Sequence, residues 1–178
     1  MEGGFGLKYF CAGGVILMAA TGVAFALNMV SQPASLSGHA DRIVIEKVQR
    51  RLTLYQGGVE LRSYRVALGS QPLGAKTSEG DGRTPEGIYS IDRRNPGSRY
   101  HLALHVSYPN AQDRARAAAL GVSPGGDVMI HGLRNGLGWL GPLHRARDWT
   151  RGCIALTDAE VDEIARAAPD GTAVEIRP

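Results

Sequence analysis

The sequence predicts a mainly β fold: one β-rich, sandwich or barrel-like domain with two or three helices on its flank. Three observations carry this. Short runs rich in Val, Ile, Leu and Tyr recur between residues 43 and 68, separated by close turns. Helical periodicity is confined to two short stretches, after Asn110 and after Thr157. The length of 178 residues suits a single domain with a short appendage.

The appendage comes first. Tyr9 to Val30 holds no charged residue, and only Thr21 and Asn28 are markedly polar. A helix of this length at about 1.5 Å per residue spans roughly 33 Å, enough for a bilayer core. Residues 1–30 are therefore expected to form a membrane helix, a signal or anchor. Ala24-Phe25-Ala26 fits a small-x-small cleavage pattern, yet apolar residues continue to Val30 and Glu2 offsets Lys8, which favours an uncleaved anchor. No lipobox precedes Cys11. Residues 31–40 read as a polar linker with Pro and Gly, and the domain is placed at 41–178.

Within the domain, Ile43, Val44, Ile45 and Val48 form one β-prone run, and Leu52, Leu54 and Tyr55 a second. Gly57-Gly58 turns that run back into Val59-Glu60-Leu61 as a hairpin. Tyr64, Val66 and Leu68 alternate with more polar or smaller neighbours up to Gly69. Residues 71–87 are rich in Gly, Pro, Thr and Ser, which predicts an ordered loop leading into Ile88–Ile91. Asn110 is a cap for a helix reaching Leu120 and stopped by Gly121. Thr157 and Glu160 form a capping box, after which Val161, Ile164, Ala165 and Ala168 recur at helical spacing until Pro169. Asp170-Gly171 then turns the chain into a last strand, Ala173 to Ile176.

The segment that carries chemistry runs from Asp127 to Thr157. Val128-Met129-Ile130 reads as a buried strand with His131-Gly132 at its end. A Gly-rich loop follows, then Thr150-Arg151-Gly152-Cys153 before apolar Ile154-Ala155-Leu156. Cys11 lies in the apolar run, so Cys153 is the one cysteine of the domain and has no intrachain partner for a disulfide there. A free thiol is mostly protonated at neutral pH; an imidazole beside it takes the proton and later protonates a leaving amine. Gly152 permits a tight turn that aims successive N–H groups at an oxyanion. Taken alone, the pairing stays balanced against a buried structural cysteine and an unrelated strand-end histidine.

These segments resemble the catalytic domain of the L,D-transpeptidases, cysteine enzymes that form 3→3 cross-links in bacterial cell walls. The resemblance covers roughly 41–178 and rests on His131-Gly132, on Thr150-Arg151-Gly152-Cys153, on the Thr84-Pro85-Glu86-Gly87 loop and on Val66–Gly69 before it. It implies an L,D-transpeptidase-type fold, with Cys153 as nucleophile and His131 as base. The Gly132 carbonyl orients the imidazole, and the N–H groups of Gly152 and Cys153 contribute to an oxyanion hole. Arg151 departs from the family pattern, in which many members carry His before the Gly-Cys. The implied substrates are peptidoglycan stem peptides: Cys153 attacks the carbonyl of residue three of a tetrapeptide stem and expels D-Ala. No metal or organic cofactor is called for. The implied location is the cell envelope, anchored to the inner membrane or periplasmic.

Other residues carry weaker expectations. Thr150, Arg151, Tyr100 and His101 are candidate substrate contacts. His101 and His105 on one strand lie about 13 Å apart, too far to share a metal. Trp139 and Trp149 are expected to pack beneath the loop. Arg83, Arg134 and Arg151 are candidates for stem carboxylates, with solvated surface favoured for any one of them. The net charge of +3 is scattered, without basic runs interleaved with aromatics, so nucleic acid is not an expected partner. Two rival functions stay open: hydrolysis by the same pair, as a carboxypeptidase, and a non-catalytic wall-binding module.

Overall fold

The computed structural model describes residues 38–178, together with Met1 and Leu36. The membrane helix expected within residues 9–30 lies outside the described residues. Among the described residues no helix is long and apolar enough to cross a membrane.

Eight strands form one sheet: β1 (Arg42–Glu46), β2 (Arg51–Gln56), β3 (Val59–Arg65), β4 (Gly87–Ser98), β5 (His101–Val106), β6 (Met129–His131), β7 (Ile154–Ala155) and β8 (Ala173–Arg177). Their spatial order is β3-β2-β1-β8-β4-β5-β6-β7. The last strand of the chain thus sits in the middle, parallel to β1 and antiparallel to β4. The two ends of this order meet. Past β3 the chain continues to Ala67, which exchanges both backbone hydrogen bonds with Ala155 of β7, at 3.0 and 2.8 Å. This bridge covers the outer edge of β7 and reduces the open backbone that an edge strand exposes. The sheet therefore wraps on itself in the barrel-like manner.

The alternation read from the sequence sets the core. Ile43, Ile45, Leu52, Leu54, Leu104, Ile130, Ile154 and Val174 are all completely buried. Two helices flank the sheet. α1 (Ala111–Ala119) starts at Asn110, whose side chain accepts from the N–H groups of Gln112 and Asp113. α2 (Asp158–Ala167) starts at Thr157, with a complete capping box to Glu160. A cap is worth about 1 kcal/mol, and a helix this short is marginal alone. Packing decides α2: Val161 and Ile164 are fully buried, each contributing roughly 1.5–3 kcal/mol.

The sequence reading differs from the structure in two places. The Gly-rich stretch after His131 is not a plain loop: Gly138–Ala146 forms short 3-10 turns broken at Gly141, making a third helical element. Its mixture of Gly, Pro, Trp and Leu has no helical period. Ala40, read as the end of the linker, is buried and its N–H donates to the Ala167 carbonyl at 2.7 Å, so packing already includes it.

Candidate active site

β6 and β7 run parallel, with Ile130 beside Ile154 and His131 beside Ala155. One step back along the same register, Cys153 enters β7 beside Met129. Residues two apart on neighbouring strands point to the same face. Their Cα atoms are separated by the diagonal of the strand spacing and a two-residue rise, roughly 8 Å. Cys153 and His131 accordingly line one cavity of about 1290 Å³.

His131 is buried, and its Nδ1–H donates to the Gly132 carbonyl at 2.6 Å. That bond fixes the tautomer: the proton sits on Nδ1 and Nε2 is left as an acceptor. Burial lowers the pKa of His131, and the Gly132 carbonyl opposes this only in part. The imidazole therefore rests neutral. Tyr100 lies against it with ring centroids 4.7 Å apart, and Trp149 meets it edge-on at 5.9 Å. Gly132 is required by contact: a Cβ there would sit 2.7 Å from Asp158 Oδ1 and 3.0 Å from the His101 Cβ.

Cys153 is free and half-buried. Burial pushes its thiol pKa up, against the pull of the Met129 N–H. Its hydrogen bond runs to the Asp127 carbonyl at 3.6 Å. Among the described residues no hydrogen bond joins the sulfur to the imidazole. The resting pair is thus a neutral thiol and a neutral imidazole, rather than the ion pair expected when an imidazole takes a thiol's proton.

The turn before Cys153 is locked from within. The Thr150 hydroxyl donates to the Cys153 carbonyl at 2.7 Å and accepts the Gly152 N–H at 3.1 Å. One sequence expectation changes as a result. The Gly152 N–H is already engaged and is not presented to an oxyanion, whereas the Cys153 N–H meets no acceptor among the described residues. Thr150 is buried and holds the turn, and it also lines the cavity. Gly152 has φ +126°, and a Cβ on it would lie 2.5 Å from the Arg83 carbonyl oxygen. The glycine is needed for close backbone packing against the 71–87 loop.

Tyr100 and Arg151 line the cavity, as expected of substrate contacts. His101 does not. Its backbone has φ +64°, and its Nε2–H donates to Asp162 on α2 at 2.9 Å, away from the cavity. Alternation along a continuous strand does not foresee such a turn at the strand's first residue. Trp149 packs among Tyr100, His131 and His144, but Trp139 is 76% exposed and packs beneath nothing. Lys47 was not singled out by the sequence. It is buried, and its ammonium donates to the carbonyls of Gly74 (2.6 Å) and Thr84 (3.0 Å) and to Glu86 Oε1 (2.8 Å). It pins the loop that abuts Gly152. Glu46 and Val48 flank it in sequence, and its partners are far along the chain, so no local pattern marks it.

Residues 40–176 match the family model YkuD, the L,D-transpeptidase catalytic domain. The chain is 36% identical over 135 residues to the Escherichia coli (strain K12) protein named "Putative L,D-transpeptidase YafK", covering 72% of this chain and 47% of that protein. The crystal structure of the helical cell shape determining protein Pgp2 from Campylobacter jejuni superposes with TM-score 0.60 at 26% identity, covering 80% of this chain and 51% of that one. An L,D-transpeptidase from Mycobacterium smegmatis shares the fold, with TM-score 0.51 at 14% identity over 76% of this chain and 58% of that one. The chain spans about half the length of the YafK and Pgp2 proteins.

Proposed function

The chain belongs to the L,D-transpeptidase catalytic domain family, and we propose that it breaks and remakes peptide bonds in peptidoglycan stems, with Cys153 as nucleophile and His131 as base. The observation that carries this is the placement of both side chains on one cavity, with the imidazole held by Gly132 so that Nε2 is the acceptor.

The thiol hands its proton to Nε2 as sulfur attacks the carbonyl of stem residue three. The opposed pKa directions of the two groups favour transfer during attack over a preformed thiolate. The Cys153 N–H supports the tetrahedral oxyanion. Collapse breaks the peptide bond, and the proton on Nε2 leaves with the amine of D-Ala. The thioester that remains is opened by an amine, which gives its proton to Nε2 and forms a 3→3 cross-link. Water does the same for hydrolysis. The cavity favours keeping hydrolysis as a second outcome, because it is wide and carries polar Lys76, Glu79 and Asp127, which admit water. Residues 9–30 would tether the domain at 41–178 to the membrane, with the domain in the cell envelope.

The test is incubation of the full chain with purified tetrapeptide muropeptides, with products weighed by mass spectrometry. Wild type is expected to release D-Ala and give dimers or tripeptides. Cys153→Ala and His131→Ala are expected to lose turnover by about 10³-fold or more. Retained turnover in Cys153→Ala would show that the mechanism is wrong.

A further inference from the structure

The cavity beside Cys153 is lined by five cationic side chains, Lys76, Arg93, Arg94, Arg99 and Arg151, against two carboxylates, Glu79 and Asp127. Three of the cations have partners. Lys76 is paired with Asp81 at 2.8 Å, Arg94 with Asp170 at 2.5 Å, and Arg93 with Asp127 at 3.6 Å. Arg99 and Arg151 are exposed and meet no acceptor among the described residues.

Both stand on backbone that is held in place. Arg151 lies inside the turn that Thr150 closes onto Gly152 and Cys153. Arg99 precedes Tyr100, the ring against His131; its carbonyl accepts the Asn135 N–H at 2.9 Å, and the Tyr100 N–H donates to the Ser98 hydroxyl at 3.0 Å. The cavity therefore offers two unspent guanidiniums, one beside each half of the Cys153–His131 pair. A guanidinium binds a carboxylate through two parallel N–H groups, a geometry that a carboxamide cannot match in charge or in acceptor count.

The geometry points to Arg99 and Arg151 as a pair that reads carboxylates on the stem, so that the site selects stems bearing free carboxyls over amidated ones. This rests on the reading of the cavity as the stem-binding site. Arg151 is two residues from the nucleophile. Consecutive Cα atoms are about 3.8 Å apart, so a carboxylate one residue beyond the attacked carbonyl falls within range of its side chain.

Binding tests this apart from catalysis. Full-chain Cys153→Ala is titrated by calorimetry with three synthetic tetrapeptide stems: one with all carboxyls free, one with its side carboxyls as carboxamides, and one with its terminal D-Ala as the carboxamide. The free-acid stem is expected to bind about tenfold more tightly than at least one amide, and that amide identifies the carboxylate being read. Adding Arg99→Gln or Arg151→Gln should bring that ratio to within about twofold while leaving amide binding unchanged. Both arginines are exposed, so both variants should keep the wild-type midpoint of urea unfolding. Arg93→Gln should keep the preference. Failure of the free-acid stem to bind, equal binding of all three stems, or a preference that survives loss of both arginines would overturn the proposal. A preference that holds while wild type releases no D-Ala would instead overturn the catalytic reading and leave recognition standing.

Discussion

Two loops flank the candidate site and are built by opposite means. Residues 70–86 are fixed by satisfied polar groups. Lys47 reaches in from the end of β1 to hold Gly74, Thr84 and Glu86, and Asp81 accepts the N–H groups of Thr77, Ser78 and Arg83 and the ammonium of Lys76. Residues 132–149 are held at separate points: Asn135 bonds the backbone of Ser98, Arg99 and His101, Arg145 pairs with Glu160, and both ends are tied down. Asp158 accepts the Leu133 N–H at 2.8 Å, and Asp148 accepts the Leu68 N–H at 2.9 Å. Between those anchors Leu137, Trp139 and Leu143 are exposed, and His144 Nε2 and Arg145 Nε are buried without a partner among the described residues. A fully satisfied polar network rigidifies, while a partly satisfied one is where a fold yields first. The first loop supplies the firm wall behind Gly152, and the second carries the exposed apolar side chains and the two unpartnered polar atoms.

The largest effect expected from this contrast is at Lys47. Lys47→Met keeps the stem but strands Glu86 and two carbonyls, which should cost about 3 kcal/mol or more in urea unfolding of the full chain. Turnover should fall as well, because the loop no longer backs the Gly152 turn. A loss below about 1 kcal/mol would mean that the polar network is not what holds that loop.

Acid should separate the two loops. Burial raises the pKa of the Asp81 carboxyl, but Lys76 and the three N–H groups outweigh it and hold it at about 2, below its ordinary 3.8. Stability from Asp81 is therefore fully present above its unfolded value and is lost as pH falls from about 4 to about 2. His144 is pushed down to about 4 from 6.5, by burial first and then by Arg145 and His131. Its unfolded form binds the proton first, so stability from neutral His144 is lost as pH falls from 6.5 to about 4. His131 is depressed too and adds to this higher window. Unfolding free energy measured against pH should show both steps. His144→Phe should weaken the upper step and leave the lower one, and an unchanged upper step would place its origin elsewhere.

The smallest effect belongs to the exposed face of the second loop. Trp139→Ser should change stability by no more than about 0.5 kcal/mol by thermal or urea unfolding, since its ring packs beneath nothing. A larger loss would show that the segment is more tightly built than its exposure indicates.

Local chemistry was legible in the sequence wherever the cause was local. Asn110 and Thr157 announce their helices because a cap acts within three residues, and Gly57-Gly58 announces a hairpin because the turn needs positive φ, which both residues have. The juxtaposition of His131 and Cys153 was suggested by two strand ends, but only the parallel register of β6 and β7 puts both on one cavity. His101 went the other way: it is a candidate substrate contact by sequence, and a positive φ turns it onto Asp162.

The sequence by itself determined a β-rich domain and its capped helices, and it marked Cys153 and His131 as the candidate pair. Those properties depend on side-chain period and on contacts a few residues long. The tertiary structure alone decided the strand order with β8 at the centre, the closure of the sheet at Ala67 and Ala155, the burial of Lys47 and the engagement of the Gly152 N–H by Thr150. The strand order, the closure and the Lys47 bonds join residues tens of positions apart, so no window of sequence contains them. The Gly152 bond is local, but its donor is directed by a φ of +126° that the backbone adopts where it packs against Arg83.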